Sequence, residues 1–90
     1  MADVIAVVKI YPVDVIQDFS EIMKKIRSVL PERYRILRHE SEDLAYGYKI
    51  LRLFVVFPEA TEGGTEELES VLRGVEGVNE VEIEYISRVF

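Results

Sequence analysis

The chain is 90 residues long, with 49% hydrophobic and 31% charged residues, a formal net charge of −6 and no cysteine. This length allows one hydrophobic core, so we expect a single domain over residues 1–90. The absence of cysteine excludes disulfides and thiolate metal sites, and neither a membrane span nor a signal peptide is predicted, which favours a cytoplasmic location.

The charge is unevenly distributed along the chain. Between residues 59 and 84 there are nine glutamates and one basic residue, Arg73. Such an acidic half repels phosphate backbones, so direct nucleic-acid binding is not expected. The basic residues that come earlier could form a local patch for an acidic partner surface, although ordinary solvated charge explains the same pattern.

The first half of the chain predicts three elements. Residues 4–11 are a β-branched apolar run that ends at Pro12, which is typical of a strand buried on both faces. Residues 14–30 carry apolar residues at helical spacing before Pro31, which predicts a helix. The apolar positions of this helix are Phe19, Ile22, Met23, Ile26 and Leu30. Residues 34–40 form a weaker candidate strand.

The second half predicts a turn, a strand, a helix and a final strand. Residues 43–47 form the turn, and residues 48–57 are a strongly apolar strand that ends at Pro58. Thr65, after two glycines, is the predicted N-cap of a second helix. The buried stripe of that helix consists of Leu68, Val71, Leu72 and Val75. Residues 78–90 form the last strand, in which glutamates alternate with Val81, Ile83 and Tyr85.

The element order is therefore βαββαβ, which predicts the ferredoxin-like α+β sandwich. In this fold a four-stranded antiparallel sheet carries both helices on one face. The third strand is apolar on both of its faces, since Leu51, Leu53 and Val55 alternate with Ile50 and Phe54. We expect the face without helices to present a hydrophobic patch for a partner, unless loops or the C-terminus cover it.

No residue pattern predicts a catalytic or metal site. His39 is the only histidine and has no nucleophile or acid partner that the sequence identifies, so it is interpreted as a solvated side chain. The glutamates lack the spacing of a calcium loop and fit a half-exposed strand. The glycines before Thr65 could suggest a phosphate loop, but the glutamates around them would repel a phosphate.

The segment around Tyr46 and Gly47 is unusual for a plain turn. An aromatic followed by glycine stands at the entrance of the third strand, where the glycine allows a positive φ or close approach of another backbone. An aromatic held at such a point suits a partner pocket, because aromatic anchors dominate interface energies. A purely structural role for the pair remains the alternative.

Several segments together resemble the archaeal elongation factor 1-beta family. The run from Leu44 to Gly47, with the strand after it, is similar to the family's Ile-Ala-Phe-Gly segment and the strand that follows. Residues 74–78 and 81–88 resemble the family's last helix-to-strand turn and its C-terminus. The opening strand and the helix stop at Pro31 also fit, so the resemblance covers nearly the whole chain.

This resemblance implies a function and a set of site residues. It implies exchange of GDP for GTP on elongation factor 1-alpha, the GTPase that carries aminoacyl-tRNA to the ribosome, with no covalent chemistry and no cofactor or metal of the chain's own. Tyr46, followed by Gly47, matches the family's docking aromatic. Eukaryotic relatives direct a C-terminal lysine toward the Mg²⁺ and phosphate region, and Arg88 is the nearest cation here; Phe90 is assigned to the same partner-binding end.

Two other functions have been built on the same element order. A small-ligand sensing domain of the ACT type would form a ligand-dependent dimer and would not affect a GTPase. An acylphosphatase-like enzyme needs an arginine in a phosphate-cradling first loop, where this chain has Pro12, Val13 and Asp14. We therefore keep the sensing domain as the alternative and set the enzyme aside.

Overall fold

The four strands and two helices follow the predicted order. A computed structural model describes residues 2–60 and 64–89. Its elements are β1 (Asp3–Pro12), α1 (Ser20–Val29), β2 (Arg35–Ala45), β3 (Tyr48–Pro58), α2 (Thr65–Arg73) and β4 (Val78–Val89). The strands lie in the order β2-β3-β1-β4 and all neighbours are antiparallel. The predicted ferredoxin-like α+β fold is confirmed.

The hydrophobic core lies between the sheet and the two helices. The central strands β1 and β3 supply alternate residues to it, and both helices turn their apolar stripe toward them. The best-buried members are Ala6, Val8, Ile10, Ile26, Leu51, Leu53, Val55, Leu68 and Leu72. No helix among the described residues has the length and apolar content needed to cross a membrane.

The first helix begins later than the sequence predicts. Helix α1 starts at Ser20 and not at Asp14, because the apolar stripe begins only at Phe19; Val13 and Val15 are exposed. Asp18 accepts hydrogen bonds from the Ser20 backbone N–H at 2.9 Å and the Ser20 hydroxyl at 2.6 Å, and these bonds lower the pKa of its carboxyl group.

The predicted N-cap of α2 is wrong by one residue. Gly64 occupies the N-cap position with a φ of 54°, and Thr65 is already the first helical residue. No side chain caps this end, but Glu66 and Glu67 lie in the first turn, where a negative charge is favourable. The preceding Gly63 lies outside the described residues.

The edge strand β2 is longer than predicted, and the turn after it is shorter. The strand continues from Arg35 to Ala45, and Ala45 pairs with Tyr48 across a two-residue turn. Most of β2 is exposed, so its sequence lacks the apolar alternation that marks a half-buried strand. The prediction of a turn over residues 43–47 is therefore wrong at its start.

The face of the sheet without helices is called the open face here. The prediction that it presents a hydrophobic patch is wrong. Val7, Ile50, Phe54 and Val56 do point to this face, but all four are buried. The guanidinium carbon of Arg38 lies 4.2 Å from the centre of the Phe54 ring. A charged side chain of the neighbouring strand β2 thus covers Phe54, as a long side chain with an apolar stem is able to do.

A bulge in β4 breaks the predicted alternation of its last residues. Val8 pairs with Ile83 and Val7 with Tyr85, so Glu84 is the extra residue. The alternation holds up to Ile83, which packs against the core. Beyond the bulge Tyr85 is exposed on the open face instead of being buried.

Gly77 is the position in the described loops where we expect a side chain to be most costly. Its φ is +97°, its carbonyl accepts a hydrogen bond from the Val13 N–H at 2.9 Å, and an added Cβ would lie 3.5 Å from Ile22, which is an ordinary contact. Gly77→Ala should therefore lower the free energy of unfolding by about 1–2 kcal/mol through backbone strain alone. Chemical denaturation would measure it.

Gly74 supplies the matched control for this prediction. It lies three residues earlier, has a right-handed helical backbone with a φ of −78°, and would also place a Cβ in ordinary contact at 3.5 Å. Gly74→Ala should therefore leave stability unchanged or raise it slightly. Equal losses at both positions would show that the backbone conformation of Gly77 is not the cause.

Candidate partner-binding site

Tyr46 and Gly47 form the tip of the β2–β3 hairpin. Their φ values are 52° and 77°, and positive φ at both central residues is the signature of a type I′ turn. The positive φ expected at Gly47 is thus confirmed. The base of the hairpin is held by Tyr48, whose hydroxyl donates a hydrogen bond of 2.7 Å to the carbonyl of Pro12.

Tyr46 occupies a position that does not suit its side chain. It is the one residue other than glycine with a positive φ in the described chain. Asn or Asp is usual at this point of the turn, and an L-residue with a Cβ loses about 1 kcal/mol there. The ring is also fully exposed, so no internal packing compensates for the strain. A strained aromatic projecting into solvent is typical of a residue retained for binding.

Arg88 lies on β4 and is held by an acid from the end of β3. Its Nε and Nη2 atoms lie 2.7 and 2.6 Å from Oε2 of Glu59. The backbone N–H of Glu59 donates to the carbonyl of Ala2 at 3.1 Å, which fixes the start of that segment against β1. The guanidinium of Arg88 is thus neutralised on the surface, with 62% of its side chain exposed.

The structure places Tyr46 and Arg88 at opposite ends of the sheet. Arg88 pairs with Val4, which in turn pairs with Phe57 on β3. Tyr46 precedes Phe57 by eleven residues, and at about 3.3 Å per residue this gives a separation of about 35 Å. The longest dimension of the molecule is 42 Å. A partner that contacts both residues must therefore extend along the whole sheet. Phe90, the fourth predicted site residue, lies outside the described residues.

The surface between the two ends is a network of charges centred on Arg52. Its guanidinium lies 2.6 Å from Glu42, 3.0 Å from Glu84 and 3.4 Å from Glu40. Burial disfavours the charged form, but these carboxylates outweigh it and raise the pKa of Arg52. Nearby, burial and the charge of Glu82, to which the Tyr11 hydroxyl donates at 3.3 Å, raise the pKa of Tyr11.

Comparison with known proteins assigns the family. The EF-1 guanine nucleotide exchange domain matches residues 5–89. Elongation factor 1-beta of Aeropyrum pernix is 47% identical over 89 residues, which cover 99% of each chain. Elongation factor 1-beta of Ignicoccus hospitalis is 46% identical over 89 residues, 99% of this chain and 95% of that protein. The chain belongs to the EF-1 guanine nucleotide exchange domain family. Its role is guanine nucleotide exchange in translation elongation.

The family assignment decides between functions that the fold leaves open. An exchange domain and an ACT-type sensing domain share the same element order, so the topology alone does not distinguish them. The match to the exchange domain covers Tyr46, Gly47 and Arg88, whereas Phe90 lies beyond it. The resemblance stated from the sequence is confirmed.

Sequence reasoning missed two residues of the exchange domain, Glu59 and Arg52. Glu59 holds Arg88 although 29 residues separate them. The pairing of β3 and β4 with β1 brings them to one end of the sheet, and the signal in the sequence is an acid directly after Pro58. Among the described residues, no group of three or more His, Cys, Asp and Glu side chains could hold a metal ion.

Proposed function

We propose that this exchange domain acts on elongation factor 1-alpha and contacts it at two separate points. Tyr46 docks into a pocket of the GTPase at one end of the sheet, and Arg88 approaches the Mg²⁺ and phosphate region from the other. The observation that carries the proposal is Tyr46 at the hairpin tip, which has a strained backbone with a positive φ and a fully exposed ring. Docking of an exposed aromatic buries apolar surface that the free protein leaves in water.

The proposed mechanism is a difference in affinity between two states of the GTPase. The domain binds the nucleotide-free state more tightly than the GDP-bound state, and by linkage it lowers the affinity for GDP by the same factor. A guanidinium near the metal site repels Mg²⁺, and GDP then loses the cation that balances its phosphates. To act in this way Arg88 must leave Glu59, because a neutralised pair exerts little net field.

We further propose that residues 1–90 act as one domain in the cytoplasm without covalent chemistry. Both helices and all four strands contribute to one core, which supports a single unit. The family's role is exchange, which requires binding only. The glutamate-rich second half of the chain supports a protein partner over a nucleic acid.

Release of fluorescent GDP from elongation factor 1-alpha at fixed Mg²⁺ tests this function. We expect an acceleration that rises with the concentration of the domain and that excess Mg²⁺ reverses. Mg²⁺ and the domain have opposite effects on GDP affinity, so they should compete. A folded domain that leaves the release rate unchanged would overturn the proposal.

Replacing Arg88 with alanine should lower the exchange rate about tenfold, within the usual range of coupling between binding sites. Arg73→Ala is the matched control, because Arg73 is also a partly exposed, ion-paired arginine but lies at the end of α2. The rate with Arg73→Ala should stay close to that of the wild type. Equal rates for the two variants would remove Arg88 from the mechanism and leave docking through Tyr46 to be tested separately.

A further inference from the structure

A groove separates helix α1 from the edge strand β2 on the helix side of the sheet. Its volume is about 550 Å³. The floor is apolar and consists of Phe19, Met23 and Leu51, all of which are buried. The walls carry Lys24 and Arg27 from α1 and His39 from β2. The groove therefore combines an apolar base with a cationic rim.

The cations on the rim of this groove have no ion-pair partner among residues 2–60 and 64–89. In the described part of the chain neither Lys24 nor Arg27 forms an ion pair, whereas most other arginines and lysines do. Two acids, Asp18 and Glu40, also line the groove. Asp18 is bonded to Ser20 and Glu40 to Arg52. A hydrogen bond from Ser20 leaves Asp18 ionised, so the groove keeps two cations, Lys24 and Arg27, against one unpaired carboxylate among the described residues.

The strand beside the groove has a free edge. Strand β2 pairs with β3 on one side only, and alternate residues among the eleven from Arg35 to Ala45 present their backbone groups on the other side. An extended peptide is able to add to such an edge through main-chain hydrogen bonds. Alternate side chains of an added strand point to the helix side of the sheet, which is where the groove lies.

We propose that the edge of β2 binds an extended acidic segment of a partner protein and that its carboxylates contact Lys24, Arg27 and His39. Backbone pairing supplies the affinity, and the cationic rim selects acidic side chains over basic ones. An imidazole has at least one N–H to donate. RNA would also be attracted to these cations, but only a peptide can form the main-chain hydrogen bonds that the free edge of β2 offers, which favours a peptide. This contact does not require Tyr46 or Arg88 and is independent of the proposed exchange mechanism.

Two adjacent lysines provide the test. Lys24 lines the groove, whereas Lys25 forms an ion pair of 3.0 Å with Glu76 elsewhere on the surface. The probe is a capped octapeptide of alternating glutamate and valine. It is added to the isotopically labelled full chain at low salt, and backbone NMR shifts of the chain report binding. We expect shifts confined to β2 and α1. Lys24→Glu should weaken binding about tenfold and Lys25→Glu less than about twofold, because only Lys24 faces the probe.

Several results would overturn the inference. They are a failure of the peptide to bind, shifts outside β2 and α1, and an equal loss of affinity for the two lysine variants. The same peptide with lysine in place of glutamate should bind much more weakly, and comparable binding would refute the charge selection. A single-stranded RNA that binds the groove more tightly than the acidic peptide would show that the site recognises phosphate and not carboxylate.

Discussion

Replacing Tyr46 with alanine is expected to lower the exchange activity about 30-fold, which corresponds to about 2 kcal/mol and is typical of an aromatic hot spot. The ring is fully exposed in the free domain, so its removal costs no internal packing. The loss should therefore appear in the concentration of domain needed for half-maximal GDP release, while the unfolding transition stays where it is. Titration of the release rate and chemical denaturation of the same sample measure the two quantities.

Two conservative variants separate the ring from the backbone strain. Tyr46→Phe keeps the ring and should retain nearly full activity. Tyr46→Asn removes the ring but suits a positive φ, so it should raise the free energy of unfolding by about 1 kcal/mol while activity falls as in the alanine variant. Wild-type exchange by Tyr46→Ala would exclude Tyr46 from docking. A stability gain without a loss of activity in Tyr46→Asn would mean that the strain serves no binding function.

The sequence predicts the centre of this fold better than its edges. Strands β1 and β3 are apolar on both faces, so their length and burial follow from composition alone. Strand β2 is exposed on its outer edge and carries Arg35, Arg38 and His39, which are not typical of a strand. Its length is set by pairing with β3, a tertiary effect that no local pattern reports.

The open face shows a second limit of pattern reading. The alternation along β3 correctly divides its apolar residues between two faces, but it does not say that the set with Leu51 and Leu53 is the one that faces the helices. It does not reveal that Arg38, from the neighbouring strand β2, lies over the Phe54 ring. Cover by a neighbouring strand depends on register, and a single sequence does not encode register directly.

The candidate site was predictable in its parts but not in its arrangement. Tyr46 and Arg88 come from the resemblance, and Gly47 at a positive φ follows from the turn. That Tyr46 itself takes a positive φ is unexpected, since local preference favours asparagine or aspartate there. The separation of Tyr46 from Arg88, and the ion pair of Arg88 with Glu59, depend on the strand order and appear only in three dimensions.

We expect the loss of Arg52 to change stability by about as much free energy as the loss of the Tyr46 ring changes exchange activity. Arg52→Ala should lower the free energy of unfolding by about 2 kcal/mol, because three glutamates lose the cation they share and a partly buried charge cluster is left unbalanced. For a domain of this size the thermal midpoint should fall by about 10 °C. Arg73→Ala removes more exposed ion pairs and should cost only about 0.5 kcal/mol. Calorimetry of the two variants measures the difference, and similar midpoints would contradict a central role for Arg52.

A third variant separates the charge of Arg52 from its cover of the apolar residues. Ile50 and Phe54 flank Arg52 on the same face of β3, since side chains two residues apart share a face. Arg52→Met keeps an apolar stem over them but leaves the glutamates repelling one another, and concentrated salt should relieve that repulsion. We expect Arg52→Met in concentrated salt to recover most of the stability, and Arg52→Ala to stay unstable and to self-associate. That pair of results would show that the stem of Arg52 covers an apolar surface. In that case the side chain of Arg52 keeps partners off the apolar residues of the open face. The two ends of the sheet and the β2 edge are then the surfaces that remain for binding.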